Sequence, residues 1–520
     1  MIHRCIRNRL ISVFFIRSKP TKRMKVSMKA LSFIFAIGIA LIYIQCNFPY
    51  ICNYLYILQL ISNHIFSLQQ LSLSPSSVSY KMWKETPIPM YLKIYMFNWT
   101  NPEEFSSNSS VKPNFVEMGP YVFRQVDYKV NQVWNENDTI TYHRKRIWHF
   151  DESLSNGSLS DKITNLNPVT AVCFTSYSTS LMVMTILEHK IIMTRSVREL
   201  LFDGYDDKML VIARKLKLSK MPFTKFGWFY SRNGSDTYDG TFNMLTGVSN
   251  RYNTGILKEW NFNNETENFY GECGQIRGTN GDLWPPLPDN QTVSIFISDI
   301  CTDLKLKYDN TSTHQGLIGS KYISDEKMLD NGTLVPSRQC YCHETECMPT
   351  GMLNVSTCKY GAPAFVSLPH FYLADESYRD EITGMNPDKE KHEILLVVEP
   401  NTGIPLQVKA QMQINMLIQP DDQMKLFQNV SRIVVPMFWF AQEANLTSSY
   451  AGTVKLLLTL PSLGVVTFFG IAALGILIFF FAFFLCIRQS WQGEEGQVLL
   501  PRNGNFDITR SIVERNKYEY

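Results

Sequence analysis

The sequence predicts a mainly β domain held between two membrane-spanning helices, one near each end of the chain. Residues 30–50 and 456–487 are apolar and carry no charge, whereas the stretch between them alternates apolar and polar residues in short runs. Aromatic residues make up 13% of the chain, which is typical of strands. Lysine and arginine are dispersed through the middle and the net charge is only +3, which argues against a nucleic-acid-binding protein.

The C-terminal apolar segment predicts a membrane anchor. As a helix, residues 456–487 would rise about 48 Å, against a hydrocarbon core of about 30 Å. Pro461 and Gly464 place the first turns beside the membrane, so the span is expected at 463–487. A buried core helix is the alternative, but a soluble helix of this length needs a polar face and this segment has none.

The N-terminal tail is basic, with nine lysines and arginines and no acidic residue in residues 1–29. Because an apolar segment follows at 30–50, these charges predict a cytoplasmic tail before a first span. A transit peptide, a nucleic-acid-binding arm and a cleaved signal peptide are the alternatives, but no small-residue cleavage site follows. Met24 is a second possible start. Residues 51–72 have a polar face of Asn and Gln, which predicts an amphipathic helix rather than a third span.

Glycosylation sequons assign the middle of the chain to the lumenal or extracellular side. All twelve N-x-S/T sites lie between the two predicted spans. They begin at Asn98, Asn108, Asn137, Asn156, Asn233, Asn264, Asn290, Asn310, Asn331, Asn354, Asn429 and Asn445. The predicted organisation is a cytoplasmic tail (1–29), a transmembrane helix (30–50), an ectodomain (51–455), a juxtamembrane turn with the second transmembrane helix (456–487) and a cytoplasmic tail (488–520).

Cysteine usage agrees with an oxidising compartment. Of the seven cysteines between residues 73 and 455, six cluster between residues 273 and 358, and Cys173 is left over as a free, buried thiol. The C-x-C-x4-C-x10-C part of this cluster could bind zinc, but oxidising surroundings favour disulfides, and six cysteines allow 15 pairings. Cys5 lies in the basic tail and Cys486 at the inner edge of the second span, and for both palmitoylation is an alternative to a free thiol.

Within the ectodomain, local patterns predict strands at 88–100 and 121–133, a turn at Gly119-Pro120 between them, and a hairpin over 393–413. Residues 168–209 instead have helical spacing. Known catalytic and nucleotide-binding motifs are missing from the sequence. Neither His370 nor His392 has a catalytic partner at a recognisable distance along the sequence. We therefore predict no enzymatic activity, no catalytic or metal site and no cofactor.

Several long blocks resemble the class B scavenger receptors, a family that includes lipoprotein receptors, a lysosomal integral membrane protein and insect sensory neuron membrane proteins. The blocks are YMFNWTNPEEF (95–105), FVEMGPYVFRQ (115–125), VRELLFDGY (197–205), GTNGDLWPP (278–286), GAPAFVSLPHFYLAD (361–375) and the run from GMNPDKEKHEILLVVEPNTG into IPLQVKAQMQINM (384–416). The resemblance implies a large antiparallel β-barrel ectodomain with a hydrophobic tunnel, and a helical apex at about 168–209.

The resemblance also implies particular residues. Its disulfide pairing would join Cys273 to Cys340, Cys301 to Cys358 and Cys342 to Cys347. Its apex selects ligands with basic or aromatic side chains, for which the candidates are Phe174, Tyr177, His189, Lys190 and Arg195. Ordinary helix packing is the alternative role for these five residues.

The implied function is binding of lipids (fatty acids, sterols, carotenoids or phospholipids), lipoproteins or apoptotic particles, with transfer of lipid to the plasma membrane. Escort of a soluble hydrolase in lysosomes or endosomes, transfer of lipid-like odorants to a receptor, and adhesion are the alternatives. In the C-terminal tail, Glu495, Leu499 and Leu500 fit an acidic dileucine signal that clathrin adaptors recognise, which would favour lysosomal residence. The expected protein spans the membrane twice with both termini cytoplasmic, and self-association is left open.

Overall fold

The structure is a computed structural model that describes residues 71–86, 88–107, 111–173, 190–215, 224–287, 291–342, 347–420, 427 and 430–495. All of these lie in the compact unit Ile65–Tyr520. The first predicted span and nearly all of the predicted amphipathic helix (51–72) are outside the described residues.

The described residues form seventeen strands. They are β1 (Met90–Trp99), β2 (Phe115–Trp134), β3 (Thr139–Phe150), β4 (Lys162–Leu166), β5 (Ile192–Ser196), β6 (Tyr205–Asp206), β7 (Lys225–Phe226), β8 (Thr241–Leu245), β9 (Leu257–Trp260), β10 (Val293–Ile297), β11 (Thr302–His314), β12 (Leu317–Ile323), β13 (Met352–Asn354), β14 (Ala364–Ser367), β15 (Leu395–Val398), β16 (Pro405–Ile418) and β17 (Ile433–Asn445).

The α-helices of the described residues are mostly short. They are α1 (Val78–Lys84), α2 (Pro102–Ser107), α3 (Pro168–Cys173), α4 (Lys208–Lys215), α5 (Ser377–Asp380), α6 (Lys389–His392) and α7 (Ser448–Glu495). A π-helical turn covers Glu199–Asp203, and 3-10 turns cover Arg251–Asn253, Gly271–Cys273, Pro336–Tyr341, Thr357–Lys359 and Pro369–Phe371. The fold is thus mainly β, as the sequence predicts.

Thirteen of the described strands form one antiparallel sheet, whose main path runs β10-β11-β12-β15-β16-β17-β1-β2-β3-β8-β9. Thr279 joins the two ends of this path: it bridges Ile256, next to β9, and Ile295 in β10. The Thr279 N–H donates to Ser294 and its carbonyl accepts from Phe296, at 3.2 and 2.8 Å. A Cβ on Gly278 would lie 2.0 Å from the Ser294 carbonyl oxygen, so only glycine allows this approach. The sheet therefore closes into a barrel-like wall.

The strand predictions from alternation are confirmed at β1 and at the β15–β16 hairpin, but the turn predicted at Gly119-Pro120 is wrong. The strand β2 continues through this pair, and its register against β1 shifts between Ile94 and Met96. A Cβ on Gly119 would lie 2.8 Å from the Ile94 carbonyl oxygen, so the glycine permits a bulge within the strand rather than ending it.

The segment predicted to be helical, 168–209, is only partly so. It contains α3, the π-helical turn and the start of α4, but residues 192–196 form β5. They pair antiparallel with β4, from Lys162 opposite Ser196 to Leu166 opposite Ile192. Cross-strand hydrogen bonding thus overrides the local helical spacing there. Residues 174–189 are outside the described part, and so is the side chain of Cys173.

Three disulfides connect the segments that follow β9. They join Cys273 to Cys340, Cys301 to Cys358 and Cys342 to Cys347, the pairs that the family resemblance implies. The first two bridges close long loops, with 67 and 57 residues of sequence separation, so they constrain the unfolded chain strongly.

The second predicted span lies within α7, which begins at Ser448 beside the barrel. In the part of the chain that the structure describes, no helix combines the length and apolar character of a membrane span.

Candidate functional site

A cavity of about 340 Å³ lies inside the barrel wall and is lined mainly by apolar side chains. We call it the barrel cavity. Its lining comes from strands on both sides of the closure at Thr279 and from the segment 225–232. The apolar lining includes Leu92, Trp148, Phe226, Trp228, Phe229, Phe242, Trp284, Ile300, Leu304, Leu306, Val355, Val366, Leu396, Val408, Ala410, Met412, Ile414, Met416, Phe438 and Phe440.

Strand periodicity explains this apolar surface. Along β16, Val408, Ala410, Met412 and Ile414 are two residues apart and all line the cavity. Alternate residues of a strand point to the same face, so this phase of β16 faces inward. In β17, Phe440 lies opposite Met412 and lines the cavity too. The barrel thus presents an apolar interior that is not completely filled.

One wall of the cavity carries buried and half-buried charges, which together with Asp239, the partner of two of them, we call the charged wall: Arg144, Arg146, Arg232, Asp239, Asp282 and Asp299. Arg232 Nη2 lies 2.5 Å from Asp299 Oδ2 and 3.1 Å from Asp239 Oδ1, and Arg146 also donates to Asp239. Burial would raise the pKa of Asp239, but Arg146 and Arg232 outweigh it and hold that pKa below its usual range. Both guanidinium groups also lie over the Trp148 ring, at 5.3 and 5.8 Å.

The other half of the charged wall is a second network beside the first. Arg144 Nε donates to Asp127 at 2.6 Å, and its Nη2 lies 3.4 Å from Asp282. Lys129 Nζ lies 3.2 Å from Asp282 and its side chain is inaccessible to solvent. Each buried charge here has an opposite charge nearby, as burial in a low-dielectric interior requires.

Several buried hydrogen-bond donors belong to residues that line the cavity and have no partner among the described residues. They are Gln125 Nε2, Arg146 Nε, Arg232 Nε and Trp284 Nε1. Gln125 uses its other end to accept from Trp148 Nε1 at 2.8 Å. Because a buried donor without a partner costs about 1–3 kcal/mol, these groups favour a guest that brings acceptor atoms. The cavity therefore suits a mostly apolar molecule with a polar end.

The cavity reaches the surface beside the charged wall. Tyr360 is 55% exposed and Tyr238 is 39% exposed, and both line the cavity. Lys359 Nζ lies 4.0 Å from Asp299 at the same place, and burial lowers the pKa of this lysine. A molecule entering here would meet aromatic rings first and cationic groups next.

The structure does not bring the predicted apex residues to this cavity, as far as it describes them. Phe174, Tyr177 and His189 lie outside the described residues. Lys190 is exposed and its carbonyl accepts from Thr170, whereas the Arg195 guanidinium packs over the Tyr205 ring at 5.0 Å. Their role in ligand selection stays a prediction.

Sequence reasoning missed the charged wall. A signal for part of it was present: Arg144 and Arg146 share the phase of Trp148 along β3. Two arginines at the inward-facing positions of a strand indicate buried ion pairs. Their acidic partners can be identified only when the fold is known.

Nine sequon asparagines lie in the described residues. Asn137, Asn156, Asn233, Asn264, Asn310 and Asn445 are exposed, Asn98 and Asn354 are half-buried, and Asn331 is buried. Asn108, Asn290 and Asn429 lie outside the description, as do Leu499, Leu500, Cys5 and the side chains of Glu495 and Cys486. Glycosylation, tail sorting and palmitoylation stay predictions.

We expect Asn331 to carry no glycan in the folded protein, although its sequon is intact. The residue is 4% exposed and its amide nitrogen donates to the Met348 carbonyl at 2.6 Å. A glycan on that nitrogen has no room in the native packing. Asn331→Gln should leave the electrophoretic mass of the surface-delivered protein unchanged, whereas Asn310→Gln should lower it by one glycan. A mass loss in the Asn331 variant would contradict the placement.

Two buried histidines stack next to a carboxylate on the barrel wall. His370 and His392 have ring centroids 4.6 Å apart, and His370 Nε2 donates to Glu117 at 2.7 Å. The His370 Nδ1 accepts from the Asn386 N–H, so the tautomer is fixed. His392 Nδ1 likewise accepts from the Asp388 N–H at 2.9 Å. Both rings therefore serve as structural hydrogen-bond partners.

We expect the protein to lose stability as the pH falls from about 6.5 to about 4. Burial, and then the adjacent His370, lower the pKa of His392 to about 4, although Glu117 and Asp388 oppose this and Lys409 supports it. The unfolded chain thus binds a proton in this window that the native state does not, so the free energy of unfolding decreases. Denaturant unfolding at stepped pH should show a smaller decrease for His392→Gln. The exposed His149→Gln is the control and should behave like the parent protein.

Comparison with known proteins identifies similar chains. A family model described as the CD36 family matches residues 37–486. Protein peste of Drosophila melanogaster is 36% identical over 405 residues, which are 76% of this chain and 73% of the relative. Scavenger receptor class B member 1 of Cricetulus griseus is 33% identical over 418 residues, 78% and 80% of the two chains. Lysosome membrane protein 2 of Rattus norvegicus is 31% identical over 428 residues, 80% and 87% of the two chains.

Proposed function

Because the chain belongs to the CD36 family, the class B scavenger receptors, we propose that it is a receptor that binds single lipid molecules in the barrel cavity and passes them to the membrane. The single observation that carries this proposal is the apolar cavity of about 340 Å³ inside the barrel. No bond is made or broken in this function, so the protein acts as a receptor and conduit and not as an enzyme.

The energetic need for such a cavity follows from the hydrophobic effect. Each methylene that a lipid exposes to water costs about 0.8 kcal/mol, so a 16-carbon chain leaving its carrier costs about 12 kcal/mol. That cost would make transfer through water very slow. An apolar interior removes most of it, since the chain exchanges one apolar environment for another.

The charged wall supports an orientation for the lipid within the cavity. The unpaired donors of Gln125, Arg146 and Arg232 lie on one wall, and the β16 side chains form an apolar surface. A carboxylate, phosphate or hydroxyl group of the lipid would accept hydrogen bonds from these donors, while the hydrocarbon part contacts the apolar β16 surface. The polar end would therefore point toward Arg232 and the tail away from it.

Anchoring by two membrane helices is part of the proposal. Residues 456–487 carry no charge, and described side chains of α7 such as Val466, Ile471 and Leu477 are more than 60% exposed. Apolar side chains at this exposure favour a lipid environment around the helix. The sequons of the barrel support its position on the extracellular or lumenal side of the membrane.

Residence in lysosomes is a second candidate, favoured by the 31% identity to lysosome membrane protein 2 and by the dileucine pattern at Leu499 and Leu500. The cavity would serve the same lipid transfer there. Plasma-membrane residence is favoured by the comparable identity to scavenger receptor class B member 1.

Mass spectrometry of bound lipid tests the proposal. The full chain is purified in nanodiscs made from lipids with isotope-labelled chains, so that unlabelled lipid retained from the cell is recognised by mass. We expect about one tightly held lipid per barrel, which a variant with a blocked cavity does not retain. Equal retention by the two proteins would refute binding in the cavity.

A further inference from the structure

A second pocket, of about 180 Å³, lies on the outer side of the barrel wall and has no part in the proposed lipid transfer. We call it the outer pocket. Along β11, Leu304 lines the barrel cavity and Asp303, Lys305 and Lys307 line the outer pocket, while Leu306 borders both. The segment after β12 and the 3-10 turn Pro336–Tyr341 form its other walls.

The outer pocket is rich in unpaired positive charge. Its lining has five cationic and three acidic side chains: Arg277, Lys305, Lys307, Lys327 and Arg338 against Glu272, Asp303 and Asp325. None of these eight takes part in any of the ion pairs formed among the described residues. Lys305, Lys307 and Lys327 are exposed, so their ammonium groups are free to meet an anion.

A buried acceptor lies among these cations. Asp303 is only 3% exposed, and its Oδ2 has no hydrogen-bond partner among the described residues. Burial raises the pKa of this carboxyl group, although Lys305, Arg277 and a hydrogen bond with the Ser294 side chain act in the opposite direction. An oxygen buried in this way favours a ligand that supplies a hydroxyl donor, because an unsatisfied buried acceptor is destabilising.

We infer that the outer pocket binds a sulfate ester of a sugar, as found in sulfated glycosaminoglycans. The three exposed lysines pair with the sulfate oxygens, and a sugar hydroxyl donates to Asp303 Oδ2. Inorganic sulfate supplies only the first of these contacts, and a neutral sugar only the second. Sulfated glycans are anions of the cell exterior, the side on which the sequons place the barrel.

The test uses the full chain in nanodiscs and a heparin-derived tetrasaccharide, with affinity measured by isothermal titration at low salt. Lys305→Gln combined with Lys307→Gln should weaken binding by about tenfold, because each exposed pair contributes roughly 0.2–1 kcal/mol. The control is Lys258→Gln, an exposed lysine on β9 that forms no ion pair within the described residues. It should bind like the parent protein, and raised salt should weaken binding in both.

The change in saccharide affinity on substitution of Asp303 distinguishes a hydrogen bond from charge repulsion. If a sugar hydroxyl donates to it, Asp303→Asn should weaken binding several-fold, since the amide replaces part of the acceptor by a donor. If the carboxylate only repels the anion, the same variant should bind more tightly, which would overturn the proposed contact. A tetrasaccharide with methylated hydroxyls repeats the test on the ligand side, in case the buried variant does not fold.

Three further results would overturn the proposal: equal affinity for the desulfated tetrasaccharide, displacement by an equal concentration of inorganic sulfate, or no loss of affinity in the double-lysine variant. The site is independent of lipid transfer. A variant with a blocked barrel cavity should bind the saccharide normally, and the double-lysine variant should retain its lipid.

Discussion

Replacing Ala410 by tryptophan is expected to abolish lipid transfer while leaving the protein folded at the cell surface. Ala410 is the smallest of the β16 side chains that line the barrel cavity, and it is only partly buried because it borders open space. An indole at this position would project between Met412 and the opposite apolar wall. Since interiors are close-packed and adapt poorly to added volume, the lipid chain and the ring cannot occupy this cavity together.

The measurement is transfer of a fluorescent fatty acid or sterol from a carrier into cells or vesicles that contain the full chain. We expect at least a tenfold loss of rate for Ala410→Trp. Gln407→Trp is the matched control, because this residue lies on the same strand and does not line the cavity. Transfer at the parental rate by a folded Ala410→Trp protein would refute the cavity as the route.

The strands were predictable from the sequence where one face of the sheet is apolar. The hairpin of β15 and β16 follows from alternation and from a Pro-Asn-Thr-Gly turn, in which Gly403 adopts a φ of 73°. Alternation could not show that β2 continues through Gly119-Pro120, because a bulge is set by the facing strand. For the same reason, the helical spacing near Ile192 did not reveal the pairing of β5 with β4.

The site was harder to predict than the fold because its members are far apart in sequence. Arg146 and Asp239 are 93 residues apart, and Arg232 and Asp299 are 67 apart. Each of these residues alone has the appearance of a surface charge on a strand or loop. Only the closure of the sheet at Thr279 brings all four together beside the cavity. The apolar lining of β16 was visible as alternation, but the sequence cannot distinguish a filled interior from an open one.

A buried ionic wall beside an apolar cavity has a physical cost, and its geometry explains why it is tolerated. Two guanidinium groups face two carboxylates, so their mutual attraction offsets much of the desolvation penalty. The arginines thus offer hydrogen-bond donors at fixed positions, while their charges stay paired with carboxylates. An entirely apolar wall would bind hydrocarbon as well but could not distinguish the two ends of a lipid.

Removing the negative charge of Asp239 is therefore expected to destabilise the protein strongly. Asp239→Asn keeps the shape of the side chain but leaves the buried Arg146 and Arg232 facing only the half-buried Asp299. Breaking a buried pair in this way costs about 3–5 kcal/mol, and we expect a value near the lower end because Asp299 still accepts from Arg232. Urea unfolding of the two proteins measures this difference as a lower midpoint at an unchanged slope.

The matched control is Asp309→Asn, which breaks the partly exposed pair with Lys321 at 2.8 Å and should cost about 1 kcal/mol or less. Equal losses in the two variants would mean that the charged wall is as solvated as the surface and cannot hold a lipid headgroup by desolvated hydrogen bonds.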